Sequence, residues 1–194
     1  MRYIKVLMML VLLSATHVWA GPHDDALAAY KRGEYATALR LWRPLAEKGD
    51  AVAQYNLGTM YDRGLGVTED IEQAIDWYRR AGEQGDVSAQ YHLARIYGEG
   101  RRVPKNYQAA AHWYRRAAER GDPDAQYYLG LSYREGRGVP RDIKQAYFWW
   151  LIASAKQHGR ALQDRDKAEA ELTATQRAEV QAQASKWKPK GSKQ

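Results

Sequence analysis

The sequence predicts an all-α solenoid built from antiparallel helix pairs, on three observations. Residues 51–86, 87–122 and 123–158 align on one another without a gap, at a period of 36 residues. Ten of the 36 columns are identical in all three windows: Ala53, Gln54, Tyr55, Leu57, Tyr61, Gly64, Val67, Ala74, Trp77 and Ala81 recur at +36 and +72. Each window also holds two stretches of helical periodicity separated by a glycine-rich turn. Neither helix of such a pair buries its apolar face alone, so stacked units must close a shared core.

The first element in chain order reads as an address. Met1 to Lys5 is basic, Val6 to Leu13 is an unbroken apolar run, and Val18 and Ala20 occupy the −3 and −1 positions before Gly21. This is the layout of a secretory signal peptide over residues 1–20, cleaved after Ala20. The apolar run covers only about 12 Å as helix against a hydrocarbon core of roughly 30 Å, too short for a stable membrane span. The mature protein is therefore expected to be periplasmic or secreted. Residues 21–50 form a truncated first unit, with Ala38 and Gly49 in register with Ala74 and Gly85.

Residues 51–158 are the three full units. In helix A, Ala53, Leu57, Met60 and Tyr61 share one face, and Gly58 permits close approach of a neighbouring helix. Asp50, Asp86 and Asp122 stand at N-cap positions, and Gly64, Gly100 and Gly136 suit a left-handed C-terminal turn. Asp70, Asn106 and Asp142 then cap helix B, whose buried stripe in the first full unit is Ala74, Trp77, Tyr78 and Ala81. Trp77, Trp113 and Trp149 read as core. Residues 159–187 are expected to cap the array with one more polar A helix and a final helix opened by the capping box Thr173 to Gln176. Residues 188–194 form a short basic tail, read as a solvated, frayed end.

Composition narrows the function classes. Hydrophobic residues make up 45% and charged residues 27% of the 194, a folding composition. The absence of cysteine excludes a disulfide scaffold, a thiolate metal site and a cysteine nucleophile. The net charge of +7 resides at the ends: Arg2, Lys5, Lys186, Lys188, Lys190 and Lys193 lie in acid-free segments, leaving 24 basic against 23 acidic residues over 21–180. A near-neutral body gives no electrostatic footprint for nucleic acid.

No catalytic constellation is visible. His23, His92, His112 and His158 are widely separated and lack metal-ligand spacing, so neither a metal nor a cofactor is expected. The glycine pairs near 64–66 and 136–138 lack the Lys-Ser/Thr of a phosphate loop. No serine occupies a nucleophile elbow.

The stretches Ala53-Gln54-Tyr55-Asn56-Leu57-Gly58-Thr59-Met60-Tyr61, Gly64-Leu65-Gly66-Val67 and Ala74-Ile75-Asp76-Trp77-Tyr78-Arg79-Arg80-Ala81 resemble the Sel-one-like repeat family, a longer-loop relative of the tetratricopeptide repeats. The resemblance implies a right-handed superhelix acting as an adaptor between proteins, and exported bacterial members are often linked to the cell envelope. Cysteine-rich members associated with β-lactams pair cysteines across each unit, and that activity does not carry over to a cysteine-free chain. Ala94, Arg102 and Trp150 depart from the pattern.

On the helix A wheel, Tyr55, Thr59 and Asp62 fall at about 200°, 240° and 180° from Ala53, off the buried stripe. Helix A commonly lines the concave wall of such arrays. The candidate binding residues are therefore Tyr55, Thr59 and Asp62, then Tyr91, His92 and Arg95, then Tyr127, Tyr128, Leu131 and Arg134. The tyrosine column reads either as groove or as scaffold packed on the next unit. The reading is an exported, non-catalytic scaffold binding an envelope or secreted protein on its concave face. Recognition of cell-wall glycan is the alternative, and a small hydrolase ranks third.

Overall fold

The computed structural model describes residues 21–191. The expected signal peptide lies outside these residues, as does Lys193 of the tail. Ten helices follow in order among the described residues: α1 (Pro22–Lys31), α2 (Tyr35–Glu47), α3 (Ala51–Arg63), α4 (Ile71–Glu83), α5 (Val87–Glu99), α6 (Tyr107–Glu119), α7 (Pro123–Glu135), α8 (Ile143–Ala155), α9 (Gly159–Ala170) and α10 (Ala174–Lys186). Successive helices pack on one another from α1 to α9, and α3 also touches α5, so the A helices of adjacent units meet directly. α10 departs from this order and folds back onto α8. None of the described helices is long and apolar enough to cross a membrane.

The caps act where the sequence places them. Asp50, Asp86 and Asp122 accept from the backbone N–H of Ala53, Ala89 and Ala125 at 2.8, 2.7 and 2.7 Å. Gly64, Gly100 and Gly136 end the A helices in the left-handed region, at φ of 64°, 62° and 68°. Thr173 and Gln176 form the capping box of α10.

Packing between units rests on three recurring contacts. A buried glutamine at the start of each A helix donates its side-chain amide to a carbonyl of the preceding B helix: Gln54 to Ala46, Gln90 to Gly82 and Gln126 to Ala118, at 3.0, 2.8 and 3.1 Å. Arg43, Arg79 and Arg115 reach forward to the hydroxyls of Tyr61, Tyr97 and Tyr133 at 3.0, 3.4 and 2.9 Å. Gly58 and Gly130 admit the large rings of their own B helices. A Cβ on Gly58 would lie 2.6 Å from the Tyr78 ring, and one on Gly130 would press on the indole nitrogen of Trp150.

Trp77, Trp113 and Trp149 are buried as expected. Their outer faces are covered by Arg80 at 4.6 Å, Arg116 at 4.9 Å and, edge-on, Trp187 at 6.2 Å. The last unit replaces the arginine pair with Leu151 and Ile152, which lie against α10. The tail is not frayed over its described part. Lys190 donates its backbone N–H to the Glu119 carbonyl at 2.7 Å and its ammonium to the Glu119 carboxylate at 2.6 Å. The helix dipole at the end of α6 and the acid of Glu119 explain why a lysine settles there.

Replacing Gly130 with Ala should therefore cost about 1–3 kcal/mol through overpacking against Trp150. Gly98, where a Cβ would meet the Ala110 Cβ at an ordinary 3.6 Å, should accept alanine with a gain of up to ~1 kcal/mol from helix propensity. Urea denaturation of the two variants checks both signs.

Candidate functional site

Residues carried by α3, α5 and α7 line one continuous wall, and aromatic side chains run along it. Tyr55 contacts Tyr78 and His92 at centroid distances of 5.8 and 5.7 Å. His92 stacks on Tyr78 at 5.2 Å and meets Tyr91 at 5.9 Å. Tyr91 leads to Tyr114 and Tyr128 at 6.1 and 6.3 Å, Tyr128 stacks on Tyr114 at 5.2 Å, and Tyr127 joins Tyr128 to His158 at 5.2 and 4.7 Å. The repeating element is a helix B ring stacked on a helix A ring of the next unit: Tyr78 on His92, then Tyr114 on Tyr128. Offset ring pairs of this kind add about 0.5–1.5 kcal/mol each beyond area burial.

His92 and Tyr128, two of the candidate binding residues, are half-buried and packed into the junctions between units. Burial, with the Arg95 charge beside it, holds the His92 imidazole below its usual range. Burial likewise pushes the Tyr91 hydroxyl up to about 12, and raises those of Tyr78 and Tyr114 further. These rings act as neutral packing and hydrogen-bonding groups at ordinary pH.

Three further candidates are committed internally. Asp62 is only 7% exposed, because the loop of the next unit closes over it: Arg102 grips its carboxylate and also donates to the Asp62 carbonyl and to Glu69, both at 2.8 Å. Arg95 stands 4.0 Å from the same carboxylate. A wheel drawn on one helix sees none of this, since Arg102 belongs to the following unit. Tyr127 is 8% exposed, donating to Asp164 at 3.3 Å and stacked on His158, which caps α9 through the N–H of Ala161. Arg134 pairs with Glu171 at 2.6 Å. Tyr55, Tyr91, Thr59, Arg95, Tyr128 and Leu131 remain half-exposed on the wall.

Two adjoining hollows share Arg95 and Glu99. One, of about 240 Å³, is bounded by Gly98, Tyr107, Ala110, Tyr114, Tyr128, Leu131, Ser132, Glu135 and Arg137. The other, of about 280 Å³, is charged and bounded by Glu69, Ile96, Arg101 and Arg102. The first holds Arg95, Tyr128 and Leu131 of the expected site. It adds Tyr107, Tyr114 and Arg137, which sequence reasoning passed over as helix B stripe or turn. The one signal that could have found them is Gly98, the residue without a side chain in the column Asp62, Gly98, Arg134. Arg137 lies over the Tyr107 ring at 5.4 Å and pairs with Glu135 at 2.9 Å. Among the described residues no group of three or more His, Asp and Glu could hold a metal ion.

The family model of the Sel1 repeat matches residues 51–86, 87–122 and 123–158. The crystal structure of a Sel1 repeat protein from Oxalobacter formigenes is 30% identical, with a TM-score of 0.70, over 87% of this chain and 74% of that one. A protective antigen of uropathogenic Escherichia coli strains, displaying an SLR fold, is also 30% identical, with a TM-score of 0.50, over 84% of this chain and 45% of that one. No match was found among curated proteins.

The His92 environment yields a pH test. Its folded value is depressed, so the unfolded chain binds the proton first, and stability falls as pH drops below the unfolded value of about 6.5. His92→Tyr installs the residue that Tyr128 supplies one unit later. Thermal unfolding from about pH 7 to about pH 5 should show the native chain losing stability relative to this variant.

Proposed function

The chain belongs to the Sel1 repeat family, and on that premise we propose that it is an exported, non-catalytic scaffold holding a protein of the bacterial cell envelope on its helix A wall. Sel1 repeat proteins are typically protein-interaction scaffolds. The observation that carries the reading here is the hollow at the junction of α5, α6 and α7, where Arg95, Tyr128 and Leu131 stand half-exposed beside a rigid aromatic stack. Tyrosine and arginine at the rim of a preformed hollow are the usual anchors of a protein interface. Rings held by stacking lose little freedom on binding, which favours association. The invariant columns build the frame, and the varying column Thr59, Arg95, Leu131 sets what the wall can recognise. Export rests on residues 1–20, whose basic, apolar and small-residue segments match a signal peptide.

Leu131→Arg tests the interaction. Arg95 occupies the same register one unit earlier, so the fold should be spared, as circular dichroism would verify. Capture of envelope proteins should fall about 10-fold relative to the native chain, the effect of losing one anchor. Equal capture by both chains overturns the reading. Retention of both on purified peptidoglycan, with no protein lost, points to glycan instead.

Export is tested separately by N-terminal sequencing of protein from fractionated cells. A mature terminus at Gly21 in the periplasmic or secreted fraction is the expected result. An intact Met1 terminus in the cytoplasmic fraction refutes it.

A further inference from the structure

One inward column of helix A changes its occupant from unit to unit. In the first full unit it is Asp62, whose carboxylate accepts from the Tyr78 hydroxyl at 3.5 Å and is flanked by Arg102 and, at 4.0 Å, by Arg95. In the third it is Arg134, tied to Glu171. In the second it is Gly98, and the space a side chain would take forms part of the 240 Å³ hollow.

The surroundings of that space are retained although its occupant is gone. Tyr114 is the counterpart of Tyr78, is 7% exposed, and lines the hollow. Its hydroxyl stands 3.9 Å from where a Cβ on Gly98 would lie. Unlike that of Tyr78, it has no hydrogen-bond partner among the described residues. The hydroxyl opens into the hollow, so an acceptor brought in there can bond to it directly. Arg95 also lines the hollow and contacts Glu99 at 3.3 and 3.5 Å. Arg137 lines it as well, its guanidinium over Tyr107. Glu99 and Glu135 already have guanidinium partners in Arg95, Arg101 and Arg137.

We propose that this hollow receives the carboxylate of an aspartate or glutamate side chain on a partner protein, which takes the place that the Asp62 carboxylate holds one unit earlier. The proposal rests on the scaffold reading and names what the wall grips. An aliphatic side chain would fill the volume but leave the Tyr114 hydroxyl unpartnered. A carboxylate accepts from that hydroxyl and from Arg95, and charge-assisted bonds are the stronger ones.

The probe is an acetylated, amidated pentapeptide, Ala-Leu-Asp-Leu-Ala, titrated into the isotope-labelled native chain and followed by amide chemical shifts. Its counterpart with Asn in place of Asp is the control. The Asp peptide should perturb the amides of Gly98, Glu99 and Leu131, and bind about 10-fold more tightly than the Asn peptide, the worth of one charge-assisted contact. Gly98→Asp supplies the missing carboxylate from within, has room for its Cβ, and should abolish binding while keeping the fold. Tyr114→Phe should weaken the Asp peptide, which loses its charge-assisted bond, more than the Asn peptide. Equal affinity of the two peptides, binding undiminished by Gly98→Asp, or no perturbation around Gly98 each overturns the proposal. Shifts confined to other helix A residues remove the carboxylate site while the scaffold reading stands. Loss of the scaffold reading itself is reported by Leu131→Arg, which does not depend on these peptides.

Discussion

The stacking of a helix B ring on a helix A ring of the following unit is the contact on which the rest of the array depends. Tyr78 on His92 and Tyr114 on Tyr128 lie at the same centroid distance of 5.2 Å, with planes within 13° and 16° of parallel. A stacked pair fixes not only the separation of two units but also their rotation, because only a narrow range of crossing angles keeps the rings overlapped. The space beneath each ring is set by a small residue on helix A, Gly58 or Ala94, and in the last full unit Gly130 accommodates the larger Trp150.

Backbone hydrogen bonding reinforces the same junctions from the other side. The side-chain amides of Gln54, Gln90 and Gln126 occupy carbonyls in the last turns of the preceding B helix, where intrahelical partners run out. Each of these carbonyls already accepts the N–H of a turn glycine, Gly49, Gly85 or Gly121, and the glutamine of the next unit adds a second bond. Each unit therefore completes its predecessor. The C-terminal end completes itself differently: α10 turns back on α8, and Lys190 covers the end of α6.

The wall that results is fixed in its frame and variable in its lining. Because stacking sets the register between units, an inward residue is free or engaged according to what the next unit brings over it. Asp62 is claimed by Arg102 and Arg134 by Glu171, while Gly98 leaves a hollow beside Tyr114. A recognition surface can thus change by substitution at a few columns without disturbing the core.

The period, the helix pairs of the three full units, their caps and the buried tryptophans were legible in the sequence because they follow from local rules. A capping aspartate acts on N–H groups two or three residues away, a left-handed glycine acts on its own turn, and an apolar stripe is visible on one helix. What only the tertiary structure decided is which wall residues remain available. Tyr55 meets His92 across 37 residues, and Arg102 reaches Asp62 across 40. Such pairs are invisible on a wheel drawn for one helix, since each is formed by the angle at which one unit stacks on the next. The same angle, and no local pattern, makes Asp62 buried, Lys190 anchored and Gly98 the floor of an open site.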